Sequence, residues 1–100
     1  MSDTVYSIAE IKNIVSPIAA KHGVDRVYLF GSYARGEASP ESDIDLRLDA
    51  GRIRGLFQLG GLYADLEESL DKTLDLITTG GMSQAFQTRI RHEELLIYEA

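Results

Sequence analysis

The chain has 100 residues, of which 44 % are hydrophobic, with no cysteine and a formal net charge of −6. Its length predicts one domain over residues 1–100 with enough apolar residues for a core. The charge argues against a broad electrostatic grip on nucleic acid, and the lack of cysteine removes disulfides and thiolate metal sites. No apolar run approaches the ~20 residues of a membrane span. The first residues, Met1 to Val5, lack the basic and apolar regions of a signal peptide, so the expected compartment is the cytoplasm.

Ser7-Ile8-Ala9-Glu10 matches a helix capping box, and Ile8, Ile11, Val15, Ile18 and His22 follow at helical spacing. Pro17 either kinks this helix or opens a second one, and Gly23 is a C-terminal stop. A strand is expected from Val24 to Phe30, a short helix from Ser32 to Gly36, and a polar loop over Glu37 to Ser42. Asp43-Ile44-Asp45-Leu46-Arg47-Leu48 alternates with period two. A strand there sets Asp43, Asp45 and Arg47 on one face and Ile44, Leu46 and Leu48 on the other.

Ile53, Leu56, Leu59, Tyr63, Leu66 and Leu70 then form one helical stripe, weakened by Gly55, Gly60 and Gly61. A third strand is expected from Lys72 to Thr78, and Thr79-Gly80-Gly81 is a turn. Ser83 caps an expected final helix carrying Phe86, Ile90, Glu93 or Glu94, and Ile97. Strands alternating with helices give an α/β fold. The expected architecture is a mixed sheet of three strands or slightly more. Helices pack mainly on one face, and the acids lie on the open one.

The chemistry lies in the spacing of Gly31-Ser32 and Asp43-x-Asp45. The pair Gly31-Ser32 stands where a strand ends and a helix begins, where backbone N–H groups favour phosphate. Two carboxylates on alternate strand residues, roughly 7 Å apart, can converge on metal ions. Asp75, flanked by Leu74 and Leu76, is a costly carboxylate unless it is exposed, paired or metal-bound. Taken singly, Gly-Ser reads as an ordinary turn and Asp-x-Asp as a solvated strand face. Together, four such residues at fixed spacing arise by chance on the order of once in a thousand chains of this length.

Around this core, Arg35 either contacts phosphate or pairs with Glu37 or Glu41. Arg47 is placed to balance the acids. His22 reads as structural and His92 as a surface group, while Arg89 and Arg91 fit either a partner surface or a solvated helix face.

The stretch from Gly31-Ser32-Tyr33-Ala34-Arg35-Gly36-Glu37 through Ser42-Asp43-Ile44-Asp45-Leu46 resembles the signature of the DNA polymerase β nucleotidyltransferase superfamily. More narrowly, the chain resembles minimal nucleotidyltransferases (MNT), the antitoxin partners of HEPN-domain toxins, over about residues 8–98. The resemblance implies a polymerase β-like core in which Gly31 and Ser32 bind the triphosphate of ATP. It also implies an acidic triad of Asp43, Asp45 and Asp75 that holds two Mg²⁺ ions. Many members carry a basic residue after the Gly-Ser pair; here it is Tyr33, which leaves Arg35 as the nearer cation.

The implied activity is transfer of AMP to a tyrosine hydroxyl of a cognate HEPN ribonuclease toxin, in a hetero-oligomer with it. Two other classes stay open: a non-catalytic antitoxin that acts by occlusion, and a nucleotidyltransferase subunit acting on a small molecule. The nucleotidyl core fills the chain, so the acceptor is expected to arrive on another chain.

Overall fold

The computed structural model describes residues 4–100, so part of the signal-peptide reading, on residues 1–3, lies outside the described residues. Helix α1 (Ile8–His22) starts as its sequence dictates. The Glu10 amide donates to Ser7 Oγ at 3.1 Å, and the Glu10 carboxylate accepts from the Ser7 amide at 2.9 Å. Pro17 sits inside this one helix and opens no second one. Gly23 ends it at φ 77°, where its amide reaches the carbonyls of Ala19 and Ala20. Strand β1 (Arg26–Phe30) runs directly into α2 (Gly31–Arg35), which Gly36 closes at φ 74°. Strand β2 (Ile44–Asp49), α3 (Gly55–Leu70) and β3 (Leu74–Thr78) follow, then a 3₁₀ turn at Thr79–Gly81, α4 (Gln84–Ile90) and β4 (Leu95–Glu99).

The sheet is mixed, with four strands in the order β3-β2-β1-β4. Strand β2 is antiparallel to β1 and parallel to β3, and α3 makes the crossover that a parallel pair requires. On the covered face Ile44, Leu46 and Leu48 are fully buried with Val27 and Leu29. They pack in one core with Ile11, Val15 and Ala19 of α1 and Leu62, Leu66 and Leu70 of α3. The period-two alternation of β2 thus separates a dry face from an open one, and the acids belong to the open one.

Local bonds hold the loop that leads into the acids. Lys72 is buried, and its ammonium donates to the Pro40 carbonyl at 3.0 Å. Ser39 and Ser42 bond to each other's backbone, and the Ile44 amide donates to the Thr73 carbonyl at 3.0 Å. Asp43 therefore enters the sheet from a pinned turn.

Two expectations are corrected. The last helix ends at Ile90, and Ile97 belongs to β4, 2 % exposed beneath the sheet. The spacing of Phe86, Ile90 and Ile97 matched a helix by coincidence. Leu95-Leu96-Ile97-Tyr98 is instead drawn out by the free edge of β1, whose backbone groups need partners. Leu56 is 85 % exposed because α3 starts beyond the core; the buried stripe is Leu62, Leu66 and Leu70, with Leu59 and Tyr63 beside it.

Because Ile97 is a core residue of a strand, Ile97→Ala is expected to cost about 2–4 kcal/mol in urea unfolding. A residue on the solvent-facing extension of a helix would cost a few tenths.

Candidate active site

Strand pairing assembles the site. The antiparallel register sets Phe30 opposite Asp45, and the parallel register sets Asp45 opposite Asp75. Opposed residues share a face, so Asp75, Asp45 and Phe30 form one row across three neighbouring strands. Adjacent strands lie about 4.8 Å apart, which brings the Asp45 and Asp75 carboxylates within reach of a common ligand. Asp43 stands one residue before β2 and is exposed. Gly31, Ser32, Arg35, Asp43, Asp45 and Asp75 all line a single cleft of about 590 Å³. Every site residue expected from the sequence is therefore in one place.

Gly31 is required for a reason that the sequence could not supply. Its φ is 75°, and an added Cβ would overlap the Asp45 carboxylate. The close approach that glycine permits is first of all that of Asp45 to the backbone. Tyr33 is 3 % exposed and packs in the core, so the departure from a basic residue at this position adds no group to the cleft.

Arg35 and Arg47 are both committed to carboxylates. Arg35 donates to Glu93 at 2.8 Å and to Glu37 at 3.2 Å, not to Glu41. Arg47 does not balance the acids of the cleft. It forks onto both oxygens of Glu94 at 2.9 and 2.7 Å, donates to Thr79, and lies 3.9 Å over the Tyr28 ring. A planar guanidinium favours a bidentate carboxylate and an aromatic face over three more distant acids. His22 is bound at 2.7 Å to Asp65, a link between α1 and α3 far from the acids.

The sequence reading missed the fourth wall. Phe86, Arg89 and Ile90 of α4 and Glu93 beyond it line the same cleft. Phe86 meets Phe30 edge to face at 5.9 Å. No local pattern marks these residues, because it is the return of α4 over the open face that brings them in.

Asp45 is electrostatically strained. Burial, and then the neighbouring charges of Asp75 and Asp43, push the Asp45 carboxyl up to about 6. Glu93 adds to this, and Arg35 opposes it. An oxygen-only donor set whose central member is disfavoured as an anion suits a hard cation. Among the described residues no three such side chains close a metal shell by themselves. Mg²⁺ is commonly held by one or two carboxylates, with substrate phosphates and water completing the shell. The residues present fit that arrangement.

The sign of the resulting pH dependence follows. In the unfolded chain Asp45 ionises near pH 4, whereas in the fold it holds its proton to about pH 6. Its charge therefore removes stability as pH rises between these values. A shift of this size corresponds to about 3 kcal/mol in a dry site, reduced by solvent in the open cleft to about 1 kcal/mol. Asp45→Asn without metal should match the wild type near pH 4 and exceed its stability by about 1 kcal/mol above pH 6. Urea unfolding across this range is the measurement. A constant difference at all pH values would contradict the assignment.

Comparison with known proteins places the chain. The family described as "Polymerase beta, Nucleotidyltransferase" matches residues 12–100. A Methanocaldococcus jannaschii protein provisionally named a protein adenylyltransferase is 41 % identical over 87 residues, which cover 87 % of this chain and 94 % of that protein. Protein adenylyltransferase MntA of Thermococcus cleftensis is 27 % identical over 95 residues, covering 91 % of this chain and 96 % of that one. Among solved structures, a toxin–antitoxin complex with AMP-PNP superposes with a TM-score of 0.76 at 22 % identity, over 89 % of this chain and 73 % of that one. A Shewanella oneidensis complex of a tri-AMPylated HEPN toxin with its MNT antitoxin gives 0.71 at 19 %, over 93 % and 73 %. These two likenesses are of fold. With the matched model spanning nearly the whole length, the acidic row and the Gly31-Ser32 turn lie within it, and the chain belongs to the polymerase β nucleotidyltransferase family.

Proposed function

We infer that this protein is an antitoxin that transfers AMP from ATP to a tyrosine hydroxyl of a HEPN-domain toxin and so silences it. The observation that carries the reading is the convergence of Gly31, Ser32, Asp43, Asp45 and Asp75 on one cleft. The names of the relatives support the adenylyl transfer, and the HEPN toxin of the Shewanella oneidensis complex is itself AMPylated.

In this reading Gly31 and Ser32 hold the terminal phosphates of ATP with backbone N–H groups and the Ser32 hydroxyl. Asp43, Asp45 and Asp75 would provide the carboxylate oxygens that hold the Mg²⁺ ions. When bound, such ions stabilise the charge on the attacking and leaving oxygens of an in-line displacement. The acceptor oxygen bonds to the α-phosphorus, the bond to the β-phosphate oxygen breaks, and pyrophosphate leaves. Asp75 orients the acceptor hydroxyl and draws off its proton. Arg35 exchanges Glu93 for phosphate, which requires that an exposed ion pair be broken at small cost.

Loading should be visible in thermal stability. MgATP is expected to raise the melting temperature at pH 7.5 by binding the native state, and to raise it less at pH 5, where protons compete for Asp45. Identical melting curves with and without MgATP would count heavily against the site.

Neutralisation of the toxin separates catalysis from occlusion. With ATP and Mg²⁺, a small amount of this protein should silence a large excess of toxin, each silenced molecule heavier by one or more AMP groups in a mass spectrum. Asp75→Asn keeps the side-chain size and removes the charge. It should still bind toxin but lose substoichiometric inactivation, as should the Asp43→Ala,Asp45→Ala double variant. Stoichiometric, ATP-independent and reversible neutralisation by the wild type would favour occlusion instead.

A further inference from the structure

One wall of the cleft has no part in the chemistry above. Opposite Asp75, the row Asp75–Asp45–Phe30 ends on an aromatic ring, and α4 lays a second one against it. Phe86 is only half-buried, stands at 82° to the Phe30 ring and lines the cleft. The Arg89 guanidinium lies 5.4 Å from the centre of the Phe86 ring and, among the described residues, makes no ion pair. An apolar floor of Phe30 and Ile90, the Phe86 ring and an Arg89 guanidinium without an ion pair among the described residues thus stand together, continuous with the Gly31-Ser32 turn and the acids.

These are the groups that take up a heteroaromatic ring. Each base has a π-face that stacks on an aromatic side chain without regard to its hydrogen-bond pattern, and a guanidinium stacks on the same face. Carboxylates and a glycine turn, by contrast, offer no stacking surface to a base. The cleft, at about 590 Å³, is within the range of sites that enclose small-molecule ligands. The remaining part of the nucleotide needs a surface, and across the acidic row from Asp75 this wall is the one the cleft presents.

We propose that Phe86 and Arg89 form the nucleobase subsite of this cleft, the ring of the nucleotide stacking on Phe86 and on the Arg89 guanidinium. The proposal rests on the nucleotidyl-transfer reading and adds to it the residues that tell a nucleotide from a bare polyphosphate. Selectivity at this wall comes from stacking, so it distinguishes nucleotides from tripolyphosphate more strongly than it distinguishes one purine from another.

The test compares the affinity of the intact protein for MgATP and for magnesium tripolyphosphate, by calorimetry. The wild type should bind ATP more tightly than tripolyphosphate. Phe86→Leu preserves apolar packing on Phe30 but removes the π-face. It should weaken ATP about ten-fold, in line with the worth of one stacked base, and leave tripolyphosphate unchanged. Phe86→Trp should restore ATP binding. Equal weakening of both ligands, or unchanged binding of both, would overturn the proposal. So would a loss confined to the KM for the protein acceptor, which would assign the wall to the acceptor instead. Equal affinity of the wild type for ATP and tripolyphosphate would remove the subsite and leave the phosphate and metal reading standing. Binding of neither ligand would remove both.

Discussion

The contact between Gly31 and the Asp45 carboxylate is the constraint from which the site follows. Strand β1 must end where β2 presents its central acid, and the backbone must turn there with a positive φ and no side chain. That turn starts α2 at the sheet edge of the cleft and carries Ser32 and Arg35 into it. It also buries Asp45 against the backbone beside two other carboxylates, and burial first, then their charges, push its carboxyl up to about 6. The stability lost by charging Asp45 is recovered only when something positive is bound, so an empty site of this kind is poised to take a cation. Larger residues at position 31 would fail on two counts at once, backbone strain and overlap with the Asp45 carboxylate.

Much of this was legible because it is written in short-range patterns. The alternation of Asp43 to Leu48 gave both the strand and its open face, since period two permits only one assignment of sides when Ile44, Leu46 and Leu48 must be buried. The capping box at Ser7 and Glu10 and the stop at Gly23 fixed the first helix within a residue. Asp75 stood out as an acid between two leucines, costly unless exposed, paired or metal-bound; it is exposed, on the open face opposite Asp45.

What escaped the sequence depends on contacts between segments far apart in the chain. Ile97 kept helical spacing with Ile90, yet the open edge of β1 drew it into a strand, because ladder bonds and burial outweigh a weak local preference. Arg47 shares a face with the acids but answers to Glu94, 47 residues later. The wall made by Phe86 and Arg89 exists only once α4 has folded back over the sheet. Tyr33 was read as a departure at a phosphate position, whereas its ring belongs to the core below. In each case the residue type was informative and its partner was not.

The row Asp75–Asp45–Phe30 joins folding fidelity to chemical competence. If β3 slipped by one residue against β2, Asp75 would turn into the apolar face and a leucine would take its place in the cleft. Such a molecule would lack the Asp75 carboxylate in the cleft, and it would also bury an unpaired charge and expose a hydrophobic side chain. Misregistered copies are therefore the ones that open most readily and meet cellular proteases first. Surveillance of the fold thus doubles as surveillance of the cleft. A cell relying on such a protein would accumulate few copies that are compact, long-lived and inert.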